Sequence, residues 1–268
     1  MDTQYALLDV EEEIAVITLN RPAALNALSA GLSEDLGRCI DEVKERAGKD
    51  IKALILTGAG KAFCAGGDIK AMRSQQRTPE RQRAGLRNSH HRMLDLLNME
   101  LPVISLVNGP AAGAGANLAL AADFVFATPR AMFMQAFGRI GLVPDWGGFY
   151  VLPRLVGLQV AKELVFTARK VGAQEAQSLG MVHTVVSEDT ALAETKAFAG
   201  RFRNASTMAI GVAKNILNQS SNLDVRTLLE MEANAQALCS SSDYHRAAVK
   251  RFVDKEPSIY DWEKLSAG

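Results

Sequence analysis

The sequence predicts an α/β fold that runs out into an all-helical region. Between Tyr5 and Val186, short apolar runs of strand length alternate with segments of helical period. From about Asp189 onward the apolar residues recur at helical spacing alone. The chain has 268 residues, 48% hydrophobic and 22% charged, enough apolar material for a large core that needs neither disulfides nor metals. A division near residue 200 is expected, with 1–200 forming the core that carries the site and 201–268 forming the helical region.

The elements follow in order. Tyr5–Val10 and Ile14–Asn20 alternate apolar and polar residues about Glu11-Glu12-Glu13, which reads as a β-hairpin ended by Arg21-Pro22. Ser29 is an N-cap for a helix to about Ala47, with Leu32, Leu36, Ile40 and Val43 on one face. Ala53–Thr57 is a buried strand stopped by Gly58-Ala59-Gly60. A polar helix runs from about Pro79 to Met99, and Pro102 opens a strand over Val103–Val107. Asn108-Gly109-Pro110 is a turn, Ala111–Ala122 a small-residue helix, and Asp123–Ala127 and Ala131–Met134 are short strands. Helices are expected over Gly147–Val156, Leu158–Thr167 and Ala173–Leu179. Gly180 closes the last of these before a strand over Val182–Val186. Four helices complete the chain at about 189–203, 206–220, 223–239 and 242–254.

Charge and cysteine content exclude several classes of function. Lys+Arg and Asp+Glu both number 30, so the formal net charge is zero and no broad field favours a nucleic-acid backbone or an anionic membrane. Cys39, Cys64 and Cys239 are an odd number at unpatterned spacings, which argues for a reducing compartment and against a disulfide framework or a zinc site. The acidic start MDTQYALLDVEEE lacks the basic end of a signal peptide. Leu101–Ala127, the most apolar stretch, is too interrupted to span a membrane. A cytoplasmic protein is expected, with neither nucleic acid nor membrane as partner.

Chemistry concentrates in two glycine-rich segments. Phe63-Cys64-Ala65-Gly66-Gly67-Asp68-Ile69 follows a buried strand and its turn, and Asn108-Gly109-Pro110-Ala111-Ala112-Gly113-Ala114-Gly115-Ala116-Asn117 joins a strand to a helix. Both present backbone N–H groups with almost no side-chain bulk, and the amide of Ala114 sits where a helix dipole adds positive potential. Two such amides converging would make an oxyanion hole. Either segment alone reads equally as a tight turn that needs glycine. Neither matches a dinucleotide or P-loop pattern.

Taken together, Arg21-Pro22…Leu25-Asn26-Ala27-Leu28, Ala65-Gly66-Gly67-Asp68-Ile69 and Asn108–Gly115 resemble the enoyl-CoA hydratase/isomerase (crotonase) superfamily. Gly141-Leu142-Val143-Pro144-Asp145, Gly147-Gly148 and Leu152–Gly157 extend the likeness. Within that superfamily the chain is most similar to the phenylacetate-pathway enoyl-CoA isomerase type. The resemblance implies a spiral of ββα units followed by helices that build a homotrimer or a dimer of trimers. It implies an acyl-CoA thioester substrate, no separate cofactor (coenzyme A being part of the substrate) and no metal. It implies that the amides of Gly67 and Ala114 hold the thioester oxygen. Ala24, Leu25, Ala65, Gly66, Asp68, Ile69, Gly113 and Phe137 would line the CoA and acyl track. Phe252 and Lys255 keep part of a C-terminal pattern that closes over CoA, although its arginine is missing and the segment is one residue short.

The reaction turns on carboxylates. The two glutamates by which related hydratases activate water fall at Asn117 and Phe137, and neither residue can act as a general base. Asp145 remains. One carboxylate suffices to shift a double bond through an oxyanion-stabilised dienolate, so an isomerase is favoured over a hydratase with a non-standard site. Without the resemblance, Asp145 reads as a cap for the helix at Gly147. Related aryl-CoA dehalogenases use a nucleophilic aspartate at this position, with a histidine base at or near His90 and a tryptophan at Phe137. His90 and His91, flanked by Arg87 and Arg92, read more simply as a polar helix face. A structural or RNA-binding member without catalysis is the non-enzyme alternative. Asp123 is expected to anchor a turn, Trp146 and Tyr150 to line the acyl pocket or pack, and Arg139 to steer substrate or form a surface ion pair. The Arg-rich stretch Arg73–Arg92 would meet CoA phosphates or solvent.

Overall fold

The hairpin begins one edge of a twisted sheet. In the computed structural model, which describes residues 4–69 and 78–263, β1 (Ala6–Glu11) and β2 (Ile14–Leu19) pair antiparallel with Ala6 opposite Leu19. β2 pairs in parallel with β3 (Ala53–Gly58), and β3 with β4 (Val103–Val107). Beyond these lie β5 (Pro110–Ala112), β6 (Phe124–Ala127), β7 (Met132–Met134), β8 (Lys170–Gly172) and β9 (Thr184–Val185). The larger sheet has the order β1-β2-β3-β4-β6-β9, and β5-β7-β8 form a second, three-stranded sheet.

β3 and β4 read as unbroken apolar runs because both faces are covered. Ala15, Ile17, Leu19, Leu54, Leu56 and Val107 face the main core, packed with Leu32, Leu36, Ile40 and Val43 of α1 (Ala30–Arg46). The alternate residues Ile14, Val16, Ala53, Ile55, Ile104 and Leu106 form a second core with α6 (Ala191–Gly200). Ser29 caps α1 as expected, its Oγ accepting from the Leu32 N–H at 3.2 Å. α2 (Pro79–Leu97) lies beside α1, capped by Thr78.

Three expectations need correction. The helix expected over Ala111–Ala122 is only Ala114–Leu120 (α3), because Pro110–Ala112 pair with β7 and Gly113 takes a left-handed φ of 52° that no helix accommodates. The strand expected over Val182–Val186 shrinks to β9, which meets only the end of β6. β8 was not foreseen: its three residues carry no alternation and are strand only through pairing with β7. The break between the two expected helices does occur, at Gly157 (φ 75°, ψ 162°) inside α4 (Gly148–Thr167), and α5 covers Ala173–Ser178.

α7 (Thr207–Gln219), α8 (Val225–Ser240) and α9 (Asp243–Val253) follow. Lys214 of α7 is buried at 7% exposure, and its Nζ reaches Asp123 Oδ2 at 2.8 Å and the carbonyls of Leu96 and Leu101 at 3.3 Å. Asp123 also accepts from the Val103 N–H, so it does anchor the turn into β6. Burial pushes Asp123 up and Lys214 down from their ordinary values. α8 and α9 bury no side chain within the chain. Among the described residues no helix is long and apolar enough to cross a membrane.

Candidate active site

The two glycine-rich segments meet as backbone against backbone. Cys64 N–H donates to Pro110 O at 3.2 Å, and Ala112 N–H returns to Cys64 O at 3.0 Å. A Cβ on Gly66 would lie 2.4 Å from Ala112 O and 3.4 Å from Ala114 N, so only glycine lets the segments close to this distance. Gly66 also has φ 88°. The segment 24–28 joins the same knot: Ala65 N–H donates to Leu25 O and Leu28 N–H to Gly66 O. Asn26, fully buried, donates from Nδ2 to the carbonyls of Ala59, Ala62 and Phe63 and accepts from the Arg21 N–H. Its role as a clamp has no local signal in the Leu25-Asn26-Ala27-Leu28 run, because the carbonyls it holds lie more than thirty residues away.

Within this frame Gly113 N–H is taken by Met134 O at 2.8 Å, while among the described residues the N–H groups of Gly67 and Ala114 donate to no protein acceptor. Ala114 is the first residue of α3. Both residues line a cavity of about 690 Å³ together with Asp145, Trp146, Ser29 and His91. Two free amides, one at a helix start, thus line the same space as the Asp145 carboxylate, with Glu34 elsewhere in its lining. That arrangement can hold a developing oxyanion and move a proton beside it.

Asp145 sits on a turn between the short 3₁₀ helix at Ala136–Ile140 and α4. Trp146 and Gly147 both have positive φ, 46° and 72°, and reverse the chain so that α4 starts behind the carboxylate. The cap of α4 is Gly147, and no side chain caps it, so the carboxylate of Asp145 is not used there. Its Oδ1 is buried with no hydrogen-bond partner among the described residues. Burial pushes the carboxyl up to about 6, offset only in part by its own backbone N–H. A carboxyl near neutrality in a cavity is suited to both taking and returning a proton.

The other expected residues are distributed as follows. Asn117 is buried and faces the Asp145 turn rather than open cavity, its Nδ2 donating to Asp145 O at 2.7 Å. Phe137 is 7% exposed and packs its ring over Gly113, so it backs the oxyanion segment instead of lining the cavity. Asp68 pairs with Arg21 at 2.7 Å, tying the segment after Gly67 to the chain before Asn26. Ala24, Leu25, Ala65 and Ile69 cluster on that edge, with Leu25 and Ile69 exposed. Phe252 and Lys255 line a separate depression with Tyr244 and Tyr260, and Phe252 is 84% exposed; within one chain they do not reach the Asp145 cavity.

The two adjacent histidines line different cavities. His91 lines the cavity with Asp145, whereas His90, one step round α2, points into a different pocket with Met93, Leu97 and Tyr150. Tyr150 instead donates its hydroxyl to Asn218 O, and Arg139 donates to Ala168 O at 2.8 Å, beyond the end of α4. Trp146 does line the cavity. Arg92 pairs with Asp41 at 2.6 Å, and residues 73–77 of the Arg-rich stretch lie outside the described residues.

Comparison with known proteins places the chain in a family. Residues 9–264 match the family described as enoyl-CoA hydratase/isomerase. The chain is 35% identical to the short-chain-enoyl-CoA hydratase of Clostridium acetobutylicum, over 95% of this chain and 97% of that protein. It is 34% identical to the 1,2-epoxyphenylacetyl-CoA isomerase of Escherichia coli, over 94% of this chain and 96% of that protein. A crystal structure of an enoyl-CoA hydratase/isomerase from Cupriavidus metallidurans CH34 superposes with a TM-score of 0.90 at 35% identity, covering 97% of both chains. With the crossed glycine segments, the paired free amides and this agreement over nearly the whole length, the chain belongs to the enoyl-CoA hydratase/isomerase, or crotonase, family.

Proposed function

We propose that this acyl-CoA enzyme shifts the double bond of an enoyl-CoA, with Asp145 as the single acid–base group. The observation that carries the reading is the Asp145 carboxyl in the cavity lining, its Oδ1 buried without a partner, while the two positions used for water activation in related hydratases hold a committed amide and a packed ring. The thioester oxygen accepts from the N–H groups of Gly67 and Ala114. Asp145 takes a proton from C2 of a 3-enoyl thioester, the pair of electrons moves into a dienolate held by the two amides, and the same carboxyl returns the proton to C4. The product is the 2-enoyl thioester, and no water or cofactor is consumed.

The coenzyme A portion lies along the edge formed by Ala24, Leu25, Ala65, Asp68 and Ile69, where exposed Leu25 and Ile69 offer apolar cover. The bare flank of α8, with Leu229 and Leu238 at least half exposed, supports assembly into a homotrimer or a dimer of trimers, measurable by light scattering.

The test is a proton-transfer assay with 3-enoyl-CoA in D₂O. Wild type interconverts the two isomers and incorporates deuterium. Asp145→Asn loses kcat on the order of 10²–10⁴-fold with thioester affinity changed only a few-fold. Hydration of crotonyl-CoA undiminished in Asp145→Asn, or halide release from 4-chlorobenzoyl-CoA by wild type, overturns the reading.

A further inference from the structure

α3 carries two groups that bear on the cavity, one helical turn apart. Ala114 presents its free N–H at the helix start, and Asn117 extends its side chain to the turn that holds Asp145. The contact is short and buried: Asn117 is 1% exposed, and its Nδ2 lies 2.7 Å from Asp145 O. Gln135, 3% exposed, donates from Nε2 to Asn117 Oδ1 at 2.8 Å.

The orientation of both amides is dictated by chemistry. A backbone carbonyl can only accept, so Asn117 must turn its NH₂ toward Asp145. Its oxygen then faces Gln135, which must answer with its own NH₂. Gln135 follows β7 directly, and Met134, its neighbour, takes the N–H of Gly113. One end of β7 therefore braces the oxyanion segment through its backbone and the Asp145 turn through this pair of side chains.

The turn needs such a brace. Trp146 holds a left-handed φ of 46°, a conformation unfavourable for a bulky residue that persists only when its surroundings impose it. The Asp145 carbonyl accepts from Gly148 N–H at 3.0 Å as well as from Asn117. Gly148 also makes the room, since a Cβ there would lie 2.4 Å from Asn117 Nδ2.

We propose that Asn117, oriented by Gln135, is a positioning residue that fixes the Asp145 carboxylate relative to the oxyanion-hole amide of Ala114 across one turn of α3. The role rests on Asp145 being the acid–base group. The side chain of Asn117 is spent on the Asp145 carbonyl and on Gln135, so it acts on proton transfer through Asp145.

The experiment measures isomerisation of 3-enoyl-CoA by Asn117→Ala, Gln135→Met, Gly148→Ala and the Asn117→Ala/Gly148→Ala pair, with Asp145→Asn alongside. Asn117→Ala is expected to lower kcat about 10- to 100-fold, the scale of an ångström of misplacement, with KM within threefold. The acidic limb of its pH–rate profile should move, because the carboxyl no longer sits in the same surroundings. Gln135→Met should cause a smaller loss in the same direction. Gly148→Ala should cost activity in the wild-type background, where its methyl displaces the Asn117 amide. In the Asn117→Ala background it should cost little, because that amide is gone. A kcat within twofold of wild type in both Asn117→Ala and Gln135→Met, with the acidic limb in place, overturns the proposal. So does strict additivity of Asn117→Ala with Gly148→Ala. If Asn117→Ala does not fold, Gln135→Met and Gly148→Ala carry the same test through kcat and the pH profile. Full activity in Asp145→Asn identifies a failure of the acid–base reading itself.

Discussion

A Cβ placed on Gly115 would lie 2.3 Å from the carbonyl oxygen of Cys64. Both partners are backbone at the crossing of the two glycine segments, and the Cys64 carbonyl is already held by the Ala112 N–H. Nothing flexible is available to give way. Gly115→Ala must therefore separate the segments and misplace the amides of Gly67 and Ala114. We expect a stability loss of at least about 1–3 kcal/mol, together with a fall in kcat/KM larger than any fall in thioester binding. Denaturant unfolding and steady-state kinetics check it. Gly85→Ala, in a helix where a Cβ would meet nothing within 4 Å, is the contrasting case and should raise Tm.

Activity should follow the ionisation of Asp145. The base must begin as a carboxylate, and burial raises its pKa to about 6. kcat/KM for 3-enoyl-CoA is thus expected to rise about tenfold per pH unit below 6 and to level off above it. A flat profile between pH 5 and pH 8 would mean that another group takes the proton.

The same burial makes the carboxylate a burden on the fold. Its pKa is raised from 3.8 unfolded to about 6 folded, so the folded state holds the proton more tightly. The resulting stability is present below the unfolded value and is lost as pH rises through about 6. Asp145→Asn carries no charge at any pH. At pH 8 it should be more stable than wild type by up to about 3 kcal/mol, and the gap should close toward pH 4. Thermal melts of both proteins across that range measure it.

Lys214 fastens the helical region to the core through Asp123 at 2.8 Å, with the lysine side chain 7% exposed. Lys214→Met leaves the Asp123 carboxylate, its side chain 24% exposed, without its cation and the buried Leu96 and Leu101 carbonyls without a donor, and is expected to cost about 1–3 kcal/mol. Adding Asp123→Asn removes the stranded charge and keeps an acceptor for the Val103 N–H, so the double variant should recover part of the loss. No recovery in urea unfolding would mean that the packing of the lysine stem, rather than its charge, holds α7 in place.

Much of the fold was legible because its signals are local. Ser29 ahead of a 3.6-residue apolar repeat marked α1, and the unbroken run Ala53–Thr57 marked a strand buried on both faces. Gly157 broke α4 where the sequence placed a gap between helices. The misreadings share one cause. Pro110–Ala112 looks like the start of a small-residue helix, and Lys170–Gly172 looks like nothing, yet both are strands because β7 lies between them. Short segments take their state from a partner that periodicity cannot see.

The site divides in the same way. Asp145 and the two glycine segments could be picked out from residue type and order, since a carboxylate is a candidate proton carrier and only glycine lets backbones cross. His90 and His91 could not be separated, because adjacent helix positions differ by about 100° in direction and only the docking of α2 decides which one faces Asp145.

By itself, then, the sequence determined the α/β class and the two glycine segments that cross, and it singled out Asp145 as the candidate carboxylate, all carried by residue type and near-neighbour pattern. Only the tertiary structure decided that Asp145 caps no helix, and that Asn117 spends its amide on the Asp145 carbonyl 28 residues away. It also decided that Phe137 backs the oxyanion segment from behind. Those facts depend on where distant turns meet, and a buried amide or ring takes its role from the partner it is packed against, which no local pattern encodes.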